Sequence, residues 1–262
     1  MPVGDGVLVV LNNYARPQNM SRIIDAWKGQ TAKPARLVVV DNTQFGDYVC
    51  GEQYPRDILH GSDDVWKWQD NCGCFAHLAP ALVLTGYKYI LLADDDVVPG
   101  LRAIEHLLRT AKFLDDAFAT LGQEGRLFLL DQPPGKRYSG RSCPVRSTTE
   151  SVKTHITCQA HLVRADLVHG VLQLRTALIN RFGDEAVQLC KVHDDFLLSL
   201  GTQCISPYPS YVIPRTRDAA DELIAERPGC SDSTSVYKRP THFAERARMV
   251  DMCLEVGWRP CP

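Results

Sequence analysis

Three consecutive carboxylates, Asp94-Asp95-Asp96, follow directly on the apolar run Tyr89-Ile90-Leu91-Leu92-Ala93. Adjacent carboxylates repel one another, so their charge calls for a compensating group. A hard divalent cation, Mn2+ or Mg2+, does this with oxygen ligands. Alternate side chains at a strand end share a direction, so Asp94 and Asp96 are expected to act together. The plainer reading is a solvated acidic turn before the helix that begins near residue 100, since acids favour helix N-termini. A second acidic pair stands in His193-Asp194-Asp195-Phe196. It suits a helix N-cap, and equally a general base or an electrostatic partner for a developing cation. His242 and Arg246 are four residues apart, on one face of a helix. A histidine there can bind metal and a guanidinium can grip phosphate, although a solvated helix face beside Glu245 has the same spacing. Together the three groups describe a site for a metal-bound diphosphate. Asp96 and Asp94, joined by His242, would hold the metal, and Arg246 would neutralise a leaving group.

The elements that must position these groups alternate between strand and helix. Val7–Leu11, Leu37–Val40 and Tyr89–Ala93 are short continuous apolar runs, as strands buried on both faces require. Pro17 opens a helical pattern with Met20, Ile23, Ile24 and Trp27 at i, i+3, i+4 and i+7. Helices are expected over Phe75–Leu84 and around Leu101–Leu108, and a short strand over Leu127–Leu130. This is the pattern of a doubly wound parallel α/β sheet, on which ligands bind beyond the carboxyl ends of the strands. Asn12-Asn13-Tyr14, Asp41-Asn42 and Asp94-Asp95-Asp96 all fall at such ends. The second half is less regular. Residues 131–153 read as a long, locally basic loop carrying Lys136, Arg137, Arg141, Arg146 and Lys153. A strand over Ile156–Val163, helices over Leu167–Leu178 and Asp194–Leu200, a polar loop over Thr216–Ser235 and a closing helix through Phe243, Ala247, Val250 and Leu254 complete the reading.

Composition narrows the function classes. The chain has 262 residues, 45% of them hydrophobic and 23% charged, with a net charge of −2. These values exclude a disordered or fibrous chain and give no global basic field for nucleic acid. No apolar run approaches a membrane span, and the start lacks a basic stretch followed by a long apolar one, so a cytoplasmic protein is expected. Ten cysteines without any C-x-x-C pair read as reduced thiols, several of them small buried hydrophobes, rather than as a zinc site. Neither a P-loop nor a G-x-G-x-x-G fingerprint after a strand occurs.

In their order along the chain, these motifs resemble those of the GT-A-fold nucleotide-sugar glycosyltransferases, most of all the exostosin-like, retaining ones. Val9–Pro17 resembles the family's first strand and base-binding turn, and Leu37–Asn42 its second strand. Leu91–Asp96 is similar to its D-x-D motif, Gln159–Arg164 to the segment under the acceptor, Cys190–Phe196 to its Asp-Asp motif and Lys238–Arg246 to its closing motif. The resemblance implies a Rossmann-like, mostly parallel sheet flanked by helices, with a smaller acceptor-side sheet and a closing C-terminal helix. It implies one GT-A domain over residues 1–262, with a nucleotide-sugar-binding half at 1–130 and an acceptor-binding, catalytic half at 131–262. It also implies Mn2+ (or Mg2+) on Asp96 and a UDP-sugar donor against Asn13, Tyr14, Arg16, Asp41, Asn42, Asn71, Asp94, Asp95 and His242. Asp195, Asp194 and Arg246 are its implied catalytic groups, with Asp195 beside the reacting carbon. The expected activity is metal-dependent transfer of a sugar from a UDP-sugar to a hydroxyl, with retention. A variant has hydroxymethylated pyrimidines in DNA as the acceptor, and the basic loop speaks for it. A nucleotidyltransferase would need a Gly-rich, basic turn after the first strand, where Asn12-Asn13-Tyr14 stands.

Overall fold

A computed structural model describes residues 4–14, 16–42, 59, 61–68, 72–139, 144–147, 149–216, 218–228 and 238–261. The apolar runs become strands because both of their faces are covered. In β1 (Gly4–Asn13), Leu8 and Val10 enter one core, while Val7, Val9 and Leu11 enter a second core on the opposite face. The period of two repeats in β2 (Arg36–Asp41) and in β4 (Tyr87–Ala93), which flank β1 in parallel. Between β1 and β2, α1 (Pro17–Lys28) has Pro17 in its first turn and buries Met20, Ile23, Ile24 and Trp27, the four positions expected from spacing.

β3 (Asp64–Lys67) pairs with β2 at the sheet edge and was not foreseen. Its residues alternate between half-buried and exposed, so no apolar run marks it. The helix expected over Phe75–Leu84 is divided into a 3-10 turn, Gly73–His77, and α2 (Leu78–Val83). Pro80 has no N–H to offer the carbonyl of residue 76, which confines it to a first turn. After β4 come α3 (Ala103–Phe113), β5 (Thr120–Gly122) and β6 (Glu124–Arg126). Residues 127–130 are not the strand that their apolar character suggested. Phe128 instead anchors a cluster with Tyr138, His155, Phe196 and Trp258, and the strands beside it, Thr120-Leu121-Gly122 and Glu124-Gly125-Arg126, have one apolar side chain larger than glycine between them.

The expected loop over 131–153 contains β7 (Pro144–Val145) and most of β8 (Val152–Thr154), and residues 140–143 within it lie outside the described residues. The strand expected over Ile156–Val163 is two strands in two sheets, β9 (Ile156–Cys158) and β10 (Ala160–Arg164). Gln159 breaks it with φ +69, a left-handed conformation that a non-glycine residue adopts at a cost. Then follow α4 (Gly170–Phe182), α5 (Asp184–Val192), α6 (Asp194–Cys204), β11 (Ser210–Val212) and α7 (His242–Glu255). α4 starts later than Leu167 because a 3-10 turn, Ala165–Leu167, precedes it.

The result is an α/β architecture with a large, mostly parallel sheet in the order β3-β2-β1-β4-β10-β5-β11-β8 and a small antiparallel sheet β7-β6-β9. β10 runs antiparallel between β4 and β5, so the sheet is mixed beyond β4 and not doubly wound throughout. Both halves of the chain contribute strands to it. Among the described residues, Cys158, Cys190, Cys204, Cys253 and Cys261 are free thiols. Among the described residues, no helix is long and apolar enough to cross a membrane.

Two packing features carry predictions. α4 and α6 cross where Gly170 meets Gly201, and a Cβ added to Gly170 would lie 2.2 Å from the Gly201 carbonyl oxygen. Backbone cannot yield cheaply there, so Gly170→Ala is expected to cost about 1–3 kcal/mol, read as a lower melting temperature. His155 Nδ1 accepts the Phe128 N–H at 2.7 Å, and burial pushes this histidine down to about 4. The neutral ring is the folded form, so its contribution is complete above the unfolded value near 6.5 and is lost as pH falls toward 4. A shift of that size corresponds to about 3 kcal/mol at its limit. His155→Asn is therefore expected to flatten the fall in melting temperature between pH 6.5 and 4.

Candidate active site

The acidic motif forms a tight turn at the carboxyl end of β4, where the Val97 N–H donates to the Asp94 carbonyl and the Asp94 N–H to that of Gln159. Asp95 is held inward. It accepts from the Tyr14 N–H at 2.7 Å and from Arg16 Nη1 at 2.6 Å, and its carbonyl accepts from Asn19 Nδ2. Arg16 Nη1 also lies 3.4 Å from Asp96 Oδ2. This pairing fixes the turn against the end of β1. Burial pushes Asp95 up to about 6, against the pull of Arg16 and the Tyr14 N–H. Asp94 stands well above the ordinary carboxylate range, first through burial and then through Asp96, Asp194, Asp95 and Asp195 around it.

The other wall of the cleft begins at the N-terminus of α6. Asp194 Oδ2 lies 2.7 Å from His77 Nε2. Burial works to raise Asp194, and His77 and His161 overcome it, so its carboxyl stays below the usual range. Asp195 accepts from the Phe196 N–H at 3.1 Å and from Arg246 Nη2. Arg246 reaches it from the second turn of α7, packed against two neighbouring rings, with its guanidinium carbon 4.8 Å from the Tyr138 centroid and 4.7 Å from that of Phe196. His242, one turn earlier on α7, is pushed down to about 4, chiefly by burial and then by Arg246. Among the described residues, Arg246 Nε and His242 Nδ1 find no hydrogen-bond partner, and both are buried.

These groups line one cleft of about 440 Å3, a size suited to a small-molecule ligand. Tyr14, Arg16, Asp94, Asp95, Asp96, Asp194, Asp195, His242 and Arg246, all singled out in the sequence, are among its lining. Asn13, Asp41 and Asn42 are not. Asn13 Nδ2 donates to Asp41 Oδ1 at 3.0 Å, and Asn42 bonds the Cys72 N–H and the Gly73 carbonyl, so these three knit the ends of β1 and β2 to the following turn. Asn71 lies outside the described residues.

The donor set fits a divalent cation in one respect. Burial first, and then a crowd of carboxylates, drives Asp94 upward, and a bound cation would relieve the carboxylate part. Among the described residues no three Asp, Glu, His or Cys side chains cluster to hold a metal by themselves, so Asp94, Asp96 and His242 do not form a closed ligand set. Ligand oxygens would have to complete the sphere, as is common for Mg2+-type sites.

The sequence reading missed Glu124, Arg126, Tyr138, Cys158 and Arg227, which also line the cleft. Glu124 and Arg126 sit on a three-residue strand with no periodic signal. Gln159 is displayed in the cleft by its left-handed kink. The basic loop is not one face: Arg137 pairs with Asp251 at 2.8 Å, while Arg146 turns to Glu124.

No protein-family model and no curated protein matches the chain in sequence. Solved structures similar to it include S. aureus TarS, 13% identical with a TM-score of 0.48, the match covering 82% of this chain and 36% of that one. A structure of TarS 1–349 is 16% identical with a TM-score of 0.47, over 82% of this chain and 59% of that one. The mannosyltransferase PcManGT from Pyrobaculum calidifontis, in complex with GDP-Man and Mn2+, is 15% identical with a TM-score of 0.47, over 81% of this chain and 56% of that one. The chain spans less than two thirds of each of these three proteins.

Proposed function

We propose that the chain is a GT-A-type glycosyltransferase that moves a sugar from a UDP-sugar to a hydroxyl acceptor with retention, resembling the exostosin-like enzymes. One observation carries the reading. An acidic turn at a strand end and the Asp195–Arg246 pair, far apart in sequence, face one cleft in which Arg246 Nε and His242 Nδ1 find no partner among the described residues. A diphosphate would satisfy both of these nitrogens and accept the charge of Arg246. Asp96 and Asp94, with His242 nearby, would hold Mn2+ (or Mg2+), which supplies Lewis-acid stabilisation of the leaving diphosphate.

The chain's own residues do the rest. Arg16 and Asp95 fix the acidic turn and keep its backbone still. Asp195 presents a carboxylate to the cation that develops at the anomeric carbon, and Arg246, packed against Tyr138 and Phe196, fixes its orientation. His77 keeps Asp194 ionised beside it. Residues 1–130 would form the nucleotide-sugar half and 131–262 the acceptor half, working in the cytoplasm. The test is release of the nucleoside diphosphate from a panel of UDP-sugars, with GDP-mannose as a second base, in Mn2+ and in chelator. Release that needs the metal and one donor supports the reading; no release with any donor, with or without acceptors, overturns it.

A further inference from the structure

One wall of the cleft carries an excess of positive charge that the donor does not explain. β6 places Glu124 and Arg126 two residues apart, on the same face of the strand. The Glu124 carboxyl is 6% exposed, and its Oε1 lies 3.0 Å from Nη2 of each of three arginines, Arg146, Arg215 and Arg227. One carboxylate therefore answers three guanidiniums, with Arg126 two residues along the same strand, and among the described residues none of these four arginines reaches another carboxylate. Three nitrogens crowd on one oxygen, which leaves donors unused: among the described residues, the buried Arg227 Nη2 and Arg215 Nε have no in-line acceptor. Arg126, Arg146 and Arg227 line the cleft beside Glu124.

Like charges crowded in a partly buried place are costly unless an anion completes them. Guanidinium forks match phosphate oxygens in bidentate geometry. The cluster is also set apart from the nucleotide end. It is built on the small sheet and on the segments that follow β7 and β11, not on the ends of β1 and β2. It still borders the reacting region, because Asn19 Nδ2 bridges the Asp95 carbonyl to that of Pro228, next to Arg227.

We propose that Arg126, Arg146, Arg215 and Arg227 form an anion subsite that receives a phosphate ester carried by the acceptor. This names the acceptor class of the glycosyltransferase proposed above and rests on that reading. Glu124 holds the arginines together and sets the strength of the subsite.

The test is calorimetric titration of inorganic phosphate at low ionic strength into protein saturated with UDP and Mn2+. Millimolar binding is expected, weakened at least tenfold in Arg146→Ala. Because that variant can fail by unfolding, Glu124→Gln supplies an arm of opposite sign. With the counter-charge removed, phosphate should bind at least threefold more tightly and raise the melting temperature more than in the parent. If Glu124→Gln binds phosphate no better, the arginines serve only to pair Glu124 and the proposal falls. If UDP and Mn2+ bind and abolish phosphate binding, the arginines belong to the donor diphosphate, and the acceptor assignment falls while the glycosyltransferase stands. If phosphate binds and UDP with Mn2+ does not, the reading of the whole site fails instead. Glycerol 3-phosphate and a thymidine dinucleotide distinguish a monoester from a diester source, and binding of neither at 10 mM overturns a phosphate-ester acceptor.

Discussion

Asp195→Asn is expected to lower turnover by roughly 10²–10³-fold while leaving donor binding in Mn2+ close to that of the parent. The substitution keeps the volume of the side chain and removes the charge that would face a developing cation. It also leaves Arg246 inside the protein without its counter-charge. That arginine is buried, paired to Asp195 and packed against Tyr138 and Phe196. Breaking a buried pair from one side costs about 3–5 kcal/mol, so a lower melting temperature accompanies the loss of turnover. Arg246→Ala is expected to lose as much activity, for it strips Asp195 of its partner and removes the donor proposed to face the leaving group. The double variant separates catalysis from folding. If the two act as a unit, Asp195→Asn with Arg246→Ala loses little more activity than either alone and recovers stability relative to Arg246→Ala. Loss of donor binding in Asp195→Asn would move Asp195 to the donor site, and additive losses in the double variant would mean that the two residues work apart.

The parts of the molecule that the sequence displays are those with a repeating physical demand. β1, β2 and β4 are buried on both faces and show it as unbroken apolar runs; α1 buries one stripe and shows it at helical spacing. The parts that stayed hidden lack such a demand. β3 is a half-exposed edge, β5 and β6 have three residues each, and neither length nor pattern marks them. Leu127–Leu130 misled because apolar residues that anchor an aromatic cluster have the composition of a strand. Gln159 misled in the other direction. Nothing in its type announces a left-handed residue, yet that one conformation divides a continuous β pattern between two sheets.

The cleft divides in the same way. Asp94–Asp96, Asp194-Asp195 and His242 with Arg246 are local motifs, readable because each is contiguous or one helical turn long, and they line one cleft. Asn13, Asp41 and Asn42 sit at the expected strand ends, where their side chains also bond neighbouring segments: Asn13 to Asp41, and Asn42 to the backbone of Cys72 and Gly73. The arginines around Glu124 come from three separate stretches of chain, and only the tertiary fold makes them one feature. Arg146 entered the sequence reading as part of a basic loop; its charge counts because Arg215 and Arg227 arrive at the same oxygen.

Asp96→Ala is expected to abolish Mn2+-dependent donor binding, measured by calorimetry, and at the same time to leave the metal-free protein at least as stable as the parent. The two halves of this prediction have one cause. Asp94 is held well above the ordinary carboxylate range by burial first and by Asp96 next, so the unliganded turn carries electrostatic strain that a divalent cation relieves. Removing Asp96 lifts part of that repulsion. Arg16 loses only a contact of 3.4 Å and keeps its bond of 2.6 Å to Asp95, so the turn retains its anchor. On the proposed reading the same change would also remove an oxygen ligand from a set that, among the described residues, is already too small to hold a metal by protein ligands alone. Affinity for the metal–nucleotide pair should therefore fall by roughly 10²-fold or more, the order of loss that follows when a site depends on few carboxylates. A solvated acidic turn that merely precedes α3 behaves otherwise: Asp96→Ala would then leave metal-dependent binding unchanged and would bring no gain in stability. A turn that binds a cation pays in stability for its function, and a melting temperature that does not fall while binding vanishes is the signature of that exchange.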